Sequence, residues 1–330
     1  MKPLKYLFIS SMLFVATSCG NSWLDLEPST SVDTETSIKI LSDVEFTLNG
    51  IYSTMQSSDA YSGRLVYYGD VTGDDMQAVS STKRVANYYR FNFTKDDNPS
   101  SHWSYLYSII QNCNLILLNI DKLVIDEDDK AYRDDLKGEA LAIRGLALFD
   151  LTRIFGYPYL KDNGASLGVP IIEGLSTIDS KPTRNTVAQC YTKIIDDLTQ
   201  SLSLLGEKFN KGKINKWGAM VLLSRVYLYK GENANALKMA SDAIIGAEKN
   251  KYALWTNEDY PTAWGEDASA SKPGEVLFEI VNLTTDSPGK ESMGYLNSYD
   301  GYDDMCITCS FYQFLKEDPK DIRLKLLSFD

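Results

Sequence analysis

The chain has 330 residues, of which 44% are hydrophobic and 24% are charged, and its formal net charge is −12. A chain of this length and composition can bury a large core, as one large or two modest domains. The negative charge argues against nucleic acid or an anionic membrane surface as a partner through bulk electrostatics.

The first residues have the layout of a secretory signal. Lys2 and Lys5 precede an apolar stretch over residues 6–15, and small residues then lead directly to Cys19. The apolar stretch is roughly half as long as the ~20 residues that a bilayer-spanning helix needs. A cysteine after small residues resembles the lipobox, in which the thiol is acylated and the chain is cut before it. We therefore expect residues 1–18 to be a lipoprotein signal peptide and Cys19 to be lipidated, with a plain secretory signal as the alternative.

Amphipathic helices are predicted next along the chain. Residues 19–36 are polar and aperiodic, which indicates the lipidated cysteine followed by an extended linker. Apolar residues at steps of three and four then predict helices over residues 41–55, 103–120, 136–154 and 187–202. Trp103 begins one of these apolar stripes and is therefore assigned to the core.

A helical hairpin of repeat type is predicted after Gly212. Tetratricopeptide-like intervals separate a set of large and small residues, namely Leu223, Tyr227, Gly231, Ala236, Ala240 and Ala243. The glycine turns the chain, and the alanines let the second helix approach the first closely. Because one repeat cannot bury its own face, we expect an all-α, tetratricopeptide-repeat-like scaffold. The predicted helices at 136–154 and 187–202 would form an adjoining pair in it.

Two regions break the helical pattern. Residues 61–97 hold seven Tyr and Phe residues among Gly, Asp and Ser, and this composition indicates a long aromatic-rich loop of the kind that carries function. The apolar run over residues 276–281 predicts a strand instead. Minor β-strand content is therefore expected beside the helices.

Catalytic signatures are absent from the sequence. It contains no G-x-G-x-x-G, phosphate loop, H-E-x-x-H or nucleophile elbow, and its one histidine is His102. Most hydrolase classes are thereby disfavoured, and we expect no enzyme. The two carboxylates of a glycosidase are not excluded by composition alone.

Metal ligands are sparse as well. Cys306 and Cys309 form a lone C-x-x-C that lacks the further ligands of a zinc site, whereas Cys113 and Cys190 fall on or beside apolar stripes and are expected to be buried thiols. Calcium-compatible oxygen ligands occur in two acidic clusters, Asp70, Asp74 and Asp75, and Asp300, Asp303 and Asp304. Neither cluster has the EF-hand spacing, so the expectation is no cofactor, with calcium as the alternative.

Several motifs follow one another in a characteristic order. They are Cys19 with Trp23-Leu24-Asp25 and Pro28, the W-x-x-L-Y-x-x-I-x-x-x-N stretch from Trp103 to Asn114, Gly138-Glu139-Ala140 through Arg144-Gly145, Arg153 to Pro158, Arg184 to Val187 with Asp197-Leu198, Leu222 to Tyr229, Glu275 to Ile280, and Asp318-Pro319. No single motif is specific. The ordered set, which covers nearly the whole chain, resembles the SusD/RagB family of nutrient-binding outer-membrane lipoproteins.

The resemblance implies a SusD-like helical domain over residues 37–330, lying as a lid on a SusC-like TonB-dependent barrel. Such a lid captures oligosaccharide, or peptide in some members, and delivers it to the barrel. Members usually continue well beyond the Asp-Pro motif, so the expectation is that the C-terminal portion of the scaffold is missing here. The implied location is the outer-membrane surface, with Cys19 as the lipid anchor.

The resemblance also implies where a ligand binds. In sugar-binding relatives the site is built from the loop before the W-x-x-L-Y helix and from the region after the strand. Those positions correspond here to Asp75, Met76, Gln77, Tyr88, Tyr89, Tyr295, Tyr299 and Tyr302. Sugar CH faces stack on aromatic rings, so the aromatic loop composition agrees with glycan capture. The alternatives are a peptide-capturing RagB-type lipoprotein and a repeat scaffold for other surface proteins.

Overall fold

The structure is a computed structural model that describes most of the chain. The described residues are 37–94, 100–177, 179–210, 212–264, 274–283 and 285–327. The expected signal peptide, Cys19 and the linker lie outside them. Residues 40–330 group as one compact unit.

Helices dominate the architecture. They are α1 (Leu41–Met55), α2 (Arg64–Val71), α3 (Ala86–Tyr89), α4 (Ser100–Asn119), α5 (Lys130–Phe155), α6 (Val187–Leu204), α7 (Lys216–Lys230), α8 (Asn233–Lys249), α9 (Tyr260–Ala263), α10 (Met293–Asn297) and α11 (Cys309–Lys316). Short 3-10 turns cover Ile120–Lys122, Glu127–Asp129, Tyr159–Lys161, Gly289–Glu291 and Ile322–Leu326. Two three-residue strands, β1 (Met76–Ala78) and β2 (Met305–Ile307), pair antiparallel. The prediction of a mainly helical chain with minor strand content is confirmed.

Local hydrogen bonds set where the helices begin. At α6, the Thr186 hydroxyl accepts from the Gln189 amide at 3.2 Å and the Gln189 side chain accepts from the Thr186 amide at 2.9 Å. At α7, the Asn215 side chain accepts from the amides of Trp217 and Gly218, both at 3.0 Å. These bonds satisfy amides that the first helical turn leaves without a partner.

The scaffold, meaning α1 and α4 to α8, packs its helices through small residues. A Cβ atom added at Gly145 would lie 3.0 Å from Cγ of Leu198, and one added at Gly138 would lie 2.9 Å from Cγ of Leu205. These glycines therefore let α5 lie close against α6 and the residue that follows it. The predicted pairing of these two helices is confirmed.

The α7–α8 hairpin closes as the sequence pattern predicts. Gly231 has φ +84°, a left-handed conformation that glycine adopts without strain. The following amide, of Glu232, donates to the Tyr227 carbonyl at 2.9 Å and completes the turn. On α8, Ala236 and Ala243 are buried, and Gly246 leaves room for the Trp217 indole.

A buried ion pair joins α5 to α6. The Arg144 guanidinium donates to both carboxylate oxygens of Asp197, at 2.7 and 2.8 Å, and also to the Asn114 side-chain oxygen at 2.8 Å. Lys193 lies 3.2 Å from the same carboxylate. Because Asp197 is fully buried, these bonds compensate a charge that has lost its water.

The predicted strand over residues 276–281 is wrong. Its carbonyl groups bond to side chains instead of to a neighbouring strand, since Asn215 donates to Leu277 at 2.8 Å and Gln56 donates to Val281 at 2.5 Å. The Phe278 ring packs against the Tyr52 ring of α1, with their centroids 6.3 Å apart. Within the described structure, this segment therefore forms no β-ladder.

Three further predictions concern single regions. The described part of the predicted aromatic loop, residues 61–94, is more regular than an uninterrupted loop, because α2, β1 and α3 form within it. Cys113 and Cys190 are fully buried as expected, and burial raises the pKa of the Cys113 thiol to about 12. Trp103 is half-buried, and its ring packs against Phe155 at a centroid distance of 5.0 Å.

Among the described helices, none has the length and apolarity to span a bilayer.

Candidate functional site

Pairing of β1 with β2 brings two distant segments together. Met76 lies opposite Ile307 and Ala78 lies opposite Met305. The Thr308 amide donates to the Asp75 carbonyl at 2.8 Å, which extends the contact beyond the strands. The two segments carry the site residues implied by the family resemblance, so the structure places both halves of that set side by side.

A small apolar core fixes the two segments to each other. It consists of buried Tyr67 and Val71 from α2 and Val85 before α3, together with Leu296 and Met305. The partly buried side chains of Met76, Ala78, Tyr88, Met293 and Tyr302 pack against it. Met76, Tyr88 and Tyr302 therefore contribute at least part of their surface to this core.

Two groups of aromatic rings adjoin this core through Tyr88 and Tyr302. Tyr68 packs edge-on against Tyr88 at 5.4 Å, Tyr88 lies 5.9 Å from Phe93, and Phe93 lies 6.3 Å from Phe91. On the second segment, Tyr295 and Tyr302 meet edge-to-face at 5.2 Å. We call these rings, with Tyr89 and Tyr299, the aromatic surface.

Lys83 and Arg84 tie the second segment to the first. The Lys83 ammonium donates to the Tyr302 carbonyl at 2.6 Å, and the Arg84 guanidinium lies 3.8 Å from the centre of the Tyr302 ring. Arg84 also donates to both carboxylate oxygens of Glu291 at 3.0 Å. One face of Tyr302 is thus covered by a cation, so this ring supports the turn more than it offers a free face.

The expected site residues divide by exposure. Asp75 is exposed, Tyr89 is 39% exposed and Tyr299 is 70% exposed, so these three are open to a ligand. Gln77 is half-buried and its amide lies 3.6 Å from the Cys306 sulfur. Among the described residues, neither Tyr89 nor Tyr299 makes a ring contact with another member of the aromatic surface.

Two exposed rings were missed among the expected site residues. Phe91 is 65% exposed and Phe93 is 40% exposed, and both belong to the same run of aromatics as Tyr88 and Tyr89. Their position in that run was a usable signal. Their outward orientation depends on the local turn, which residue type alone does not reveal.

The acidic clusters do not converge as ligands. Burial, and then the nearby Asp75 charge, raise the pKa of Asp70, and burial raises the pKa of Asp304. Within the described ranges, no three His, Cys, Asp or Glu side chains are arranged to hold a metal ion.

The Cys306–Cys309 motif is not closed by a disulfide. Both thiols are free. Cys306 lies in β2 and Thr308 has an extended backbone, with φ −74° and ψ 153°. An extended stretch of three residues carries the two Cα atoms beyond the ~7 Å limit for a disulfide.

Comparisons with known proteins identify the family. The sequence profile of a SusD-like family described as "Starch-binding associating with outer membrane" matches residues 22–228. A SusD-like protein of Formosa agariphila, P2, is 28% identical over 313 residues, covering 91% of this chain and 57% of that protein.

Solved structures agree in fold. A candidate sugar-binding protein of Bacteroides vulgatus is 82% identical with a TM-score of 0.88, covering 89% of this chain and 66% of that one. A SusD superfamily protein of Bacteroides thetaiotaomicron is 39% identical with a TM-score of 0.79, covering 88% of this chain and 64% of that one. The chain thus spans between half and two thirds of the length of these relatives. From the profile match over most of its length, the chain belongs to the SusD-like family of proteins that associate with the outer membrane.

Proposed function

We propose that this protein captures oligosaccharides at the cell surface. The observation that carries the proposal is the aromatic surface, which two segments build on a SusD-like scaffold and which leaves rings such as Tyr299 open to solvent. The Bacteroides vulgatus relative, 82% identical, is described as a candidate sugar-binding protein. An exposed ring offers the CH face of a sugar an apolar partner.

Polar groups beside the rings would bind the sugar hydroxyls. Asp75, Arg90 and Asn92 are exposed within the first segment, and carboxylate, guanidinium and amide groups donate to or accept from hydroxyls. Since water competes for each of these bonds, affinity arises from several modest contacts together. Such a surface binds and releases its ligand unchanged, in keeping with a non-catalytic role.

The proposal includes an anchor and a partner. Acylation of Cys19 would hold the protein on the outer membrane, and a SusC-like TonB-dependent transporter would receive the bound oligosaccharide. The family description, which links starch binding with the outer membrane, supports this arrangement. A lipid anchor would restrict the capture domain to the surface where such a transporter opens.

Affinity electrophoresis tests glycan capture. The purified protein is run through gels that contain starch or other polysaccharides, and retardation by at least one of them is the expected result. Tyr299→Ala should weaken retardation, whereas Phe46→Ala, which removes a 72% exposed ring from α1, should not. Retardation by no polysaccharide, together with binding of peptides, would move the assignment to the peptide-capturing branch.

Membrane fractionation and co-purification test the anchor and the partner. Wild-type protein should incorporate labelled fatty acid and co-purify with a TonB-dependent barrel, and Cys19→Ala should abolish the label. Recovery of other lipoproteins without any barrel would favour a scaffold for surface proteins instead.

A further inference from the structure

Phe91 carries two unfavourable features at once. Its backbone has φ +54°, in the left-handed region, and its side chain is 65% exposed. A bulky residue is rare in this region because its Cβ crowds the backbone, whereas glycine has no Cβ. Exposing a phenyl ring adds the unfavourable hydration of apolar surface.

The turn around Phe91 is held by backbone bonds. The Phe91 amide donates to the Tyr88 carbonyl at 3.0 Å, and the Asn92 amide donates to the Asn87 carbonyl at 2.9 Å. These bonds require a left-handed residue at position 91, but they do not require an aromatic one. Glycine or asparagine would satisfy the same geometry with less strain.

Other left-handed residues do not show this combination. Among the described residues besides glycine, positive φ also occurs at Asn163, Lys251 and Asp303. Asparagine and aspartate tolerate this conformation, and lysine exposes a charge instead of a ring. Among these residues, Phe91 alone combines a strained backbone with an exposed apolar side chain, and burial of its ring does not offset the strain.

Strained residues persist where function selects them, and the surroundings of Phe91 indicate which ligand its ring meets. The ring stands edge-to-face with Phe93, with centroids 6.3 Å apart, at the end of the row formed with Tyr88 and Tyr68. Exposed Arg90 and Asn92 flank it in sequence and offer hydrogen bonds. A ring bordered by such groups suits a ligand with an apolar face and a polar edge, which is how a pyranose presents itself.

We infer that Phe91 is the principal stacking residue of the aromatic surface and contacts the CH face of one sugar unit of the bound oligosaccharide. The inference rests on the proposed capture of glycans. It assigns to Phe91 a role that exceeds those of Tyr88 and Tyr302, whose rings are partly committed to the small core and to Arg84.

The test uses the full-length protein and distinguishes the effect of backbone strain at position 91 from the effect of the ring on glycan binding. Phe91→Gly and Phe91→Asn keep the left-handed turn and remove the ring, and Phe91→Trp keeps a ring. Lys251→Gly is the matched control, because it relieves the same kind of strain at φ +69° outside the aromatic surface. Retardation in polysaccharide gels and the melting temperature are measured for each variant.

The expected result is that both ring-removing variants bind the retarding polysaccharide about tenfold more weakly, while Phe91→Trp and Lys251→Gly bind as wild type does. The melting temperature of Phe91→Gly should stay unchanged or rise by about 2 °C, and that of Lys251→Gly should behave alike. Full binding by Phe91→Gly would overturn the inference and leave glycan capture standing. So would a fall of several degrees in its melting temperature, which would indicate a structural ring. A wild-type protein that no polysaccharide retards would overturn both proposals.

Discussion

The scaffold and the aromatic surface use their side chains in opposite ways. In the scaffold, a charged group such as Arg144 is buried and hydrogen-bonded to Asp197 and Asn114, and glycines such as Gly145 let helices approach each other. In the aromatic surface, Phe91 is exposed and strained. The first region gains stability from its contacts, whereas the second leaves aromatic side chains exposed to solvent.

This difference predicts that substitutions in the two regions affect different properties of the protein. Changes inside the scaffold should cost stability and affect binding only through unfolding. Changes on the aromatic surface should alter binding with little effect on the free energy of unfolding. Four substitutions of decreasing expected effect test this contrast.

The largest effect is expected from Arg144→Met. Among the described residues, it leaves the fully buried Asp197 carboxylate with Lys193 alone as a partner, and it removes the Arg144 donor from the Asn114 side-chain oxygen. We expect a loss of about 3 kcal/mol in the free energy of unfolding, measured by urea titration. The control Lys238→Met breaks an exposed pair with Asp242 and should cost less than about 0.5 kcal/mol. Equal losses would mean that the buried network is not what stabilises the scaffold.

A second effect comes from close helix packing. A methyl group at Gly246 would overlap the Trp217 indole, so Gly246→Ala should destabilise the protein by about 2 kcal/mol. Gly50→Ala in α1 has no atom within 4 Å of the added Cβ and should stabilise by about 0.5 kcal/mol. Thermal unfolding of the two variants shows whether this opposite pair of signs occurs.

The third prediction concerns pH. Burial raises the pKa of Glu139 from its ordinary 4.5 to about 7. The folded state therefore keeps a proton between these values that the unfolded chain loses. The resulting stabilisation is full below about pH 4.5 and is lost as pH rises through about 7.

Glu139→Gln should remove this dependence while preserving an acceptor for the Tyr52 hydroxyl, which now donates to Glu139 at 2.7 Å. From pH 5 to pH 8 the wild type should lose on the order of 2 kcal/mol more than the variant. Urea titrations of both proteins at the two pH values measure this difference in the free energy of unfolding. Parallel pH profiles would contradict the raised pKa of Glu139 as the cause.

The smallest stability effect is expected on the aromatic surface. Arg84→Gln removes the cation from the Tyr302 ring and the contacts to Glu291. We expect this change to lower the free energy of unfolding by about 1 kcal/mol. Amide hydrogen exchange should quicken at β1 and β2 while the scaffold amides stay protected. Exposed Arg225→Gln in α7 is the control. Faster exchange throughout the scaffold would show that the two regions are not separable.

The scaffold was largely predictable from sequence because its signals are local. Apolar spacing located α1 and α4 to α6, and Gly231 with the following alanines located the α7–α8 hairpin. The prediction of a strand over residues 276–281 was wrong because an apolar pattern does not reveal the hydrogen-bonding partners of the backbone. Here those partners include the side chains of Gln56 and Asn215.

The aromatic surface was predictable only in part. The resemblance located its two segments, and strand pairing then placed them side by side. Sequence did not show that Arg84 covers Tyr302 or that Phe91 turns outward with a positive φ. Both depend on backbone geometry and on contacts between residues far apart in the chain, which periodicity does not encode.

The pairing of β1 with β2 also has a consequence for how the protein is made. Gln77 and Cys306 face each other across 229 positions of sequence. A ribosome that has finished the first segment must still translate the scaffold helices α4 to α8 before the second segment exists. Since such non-local pairings form late and slowly, the protein should complete its aromatic surface as one of the last steps of folding. A chain interrupted just before residue 291 would carry all the helices of the scaffold and no complete aromatic surface.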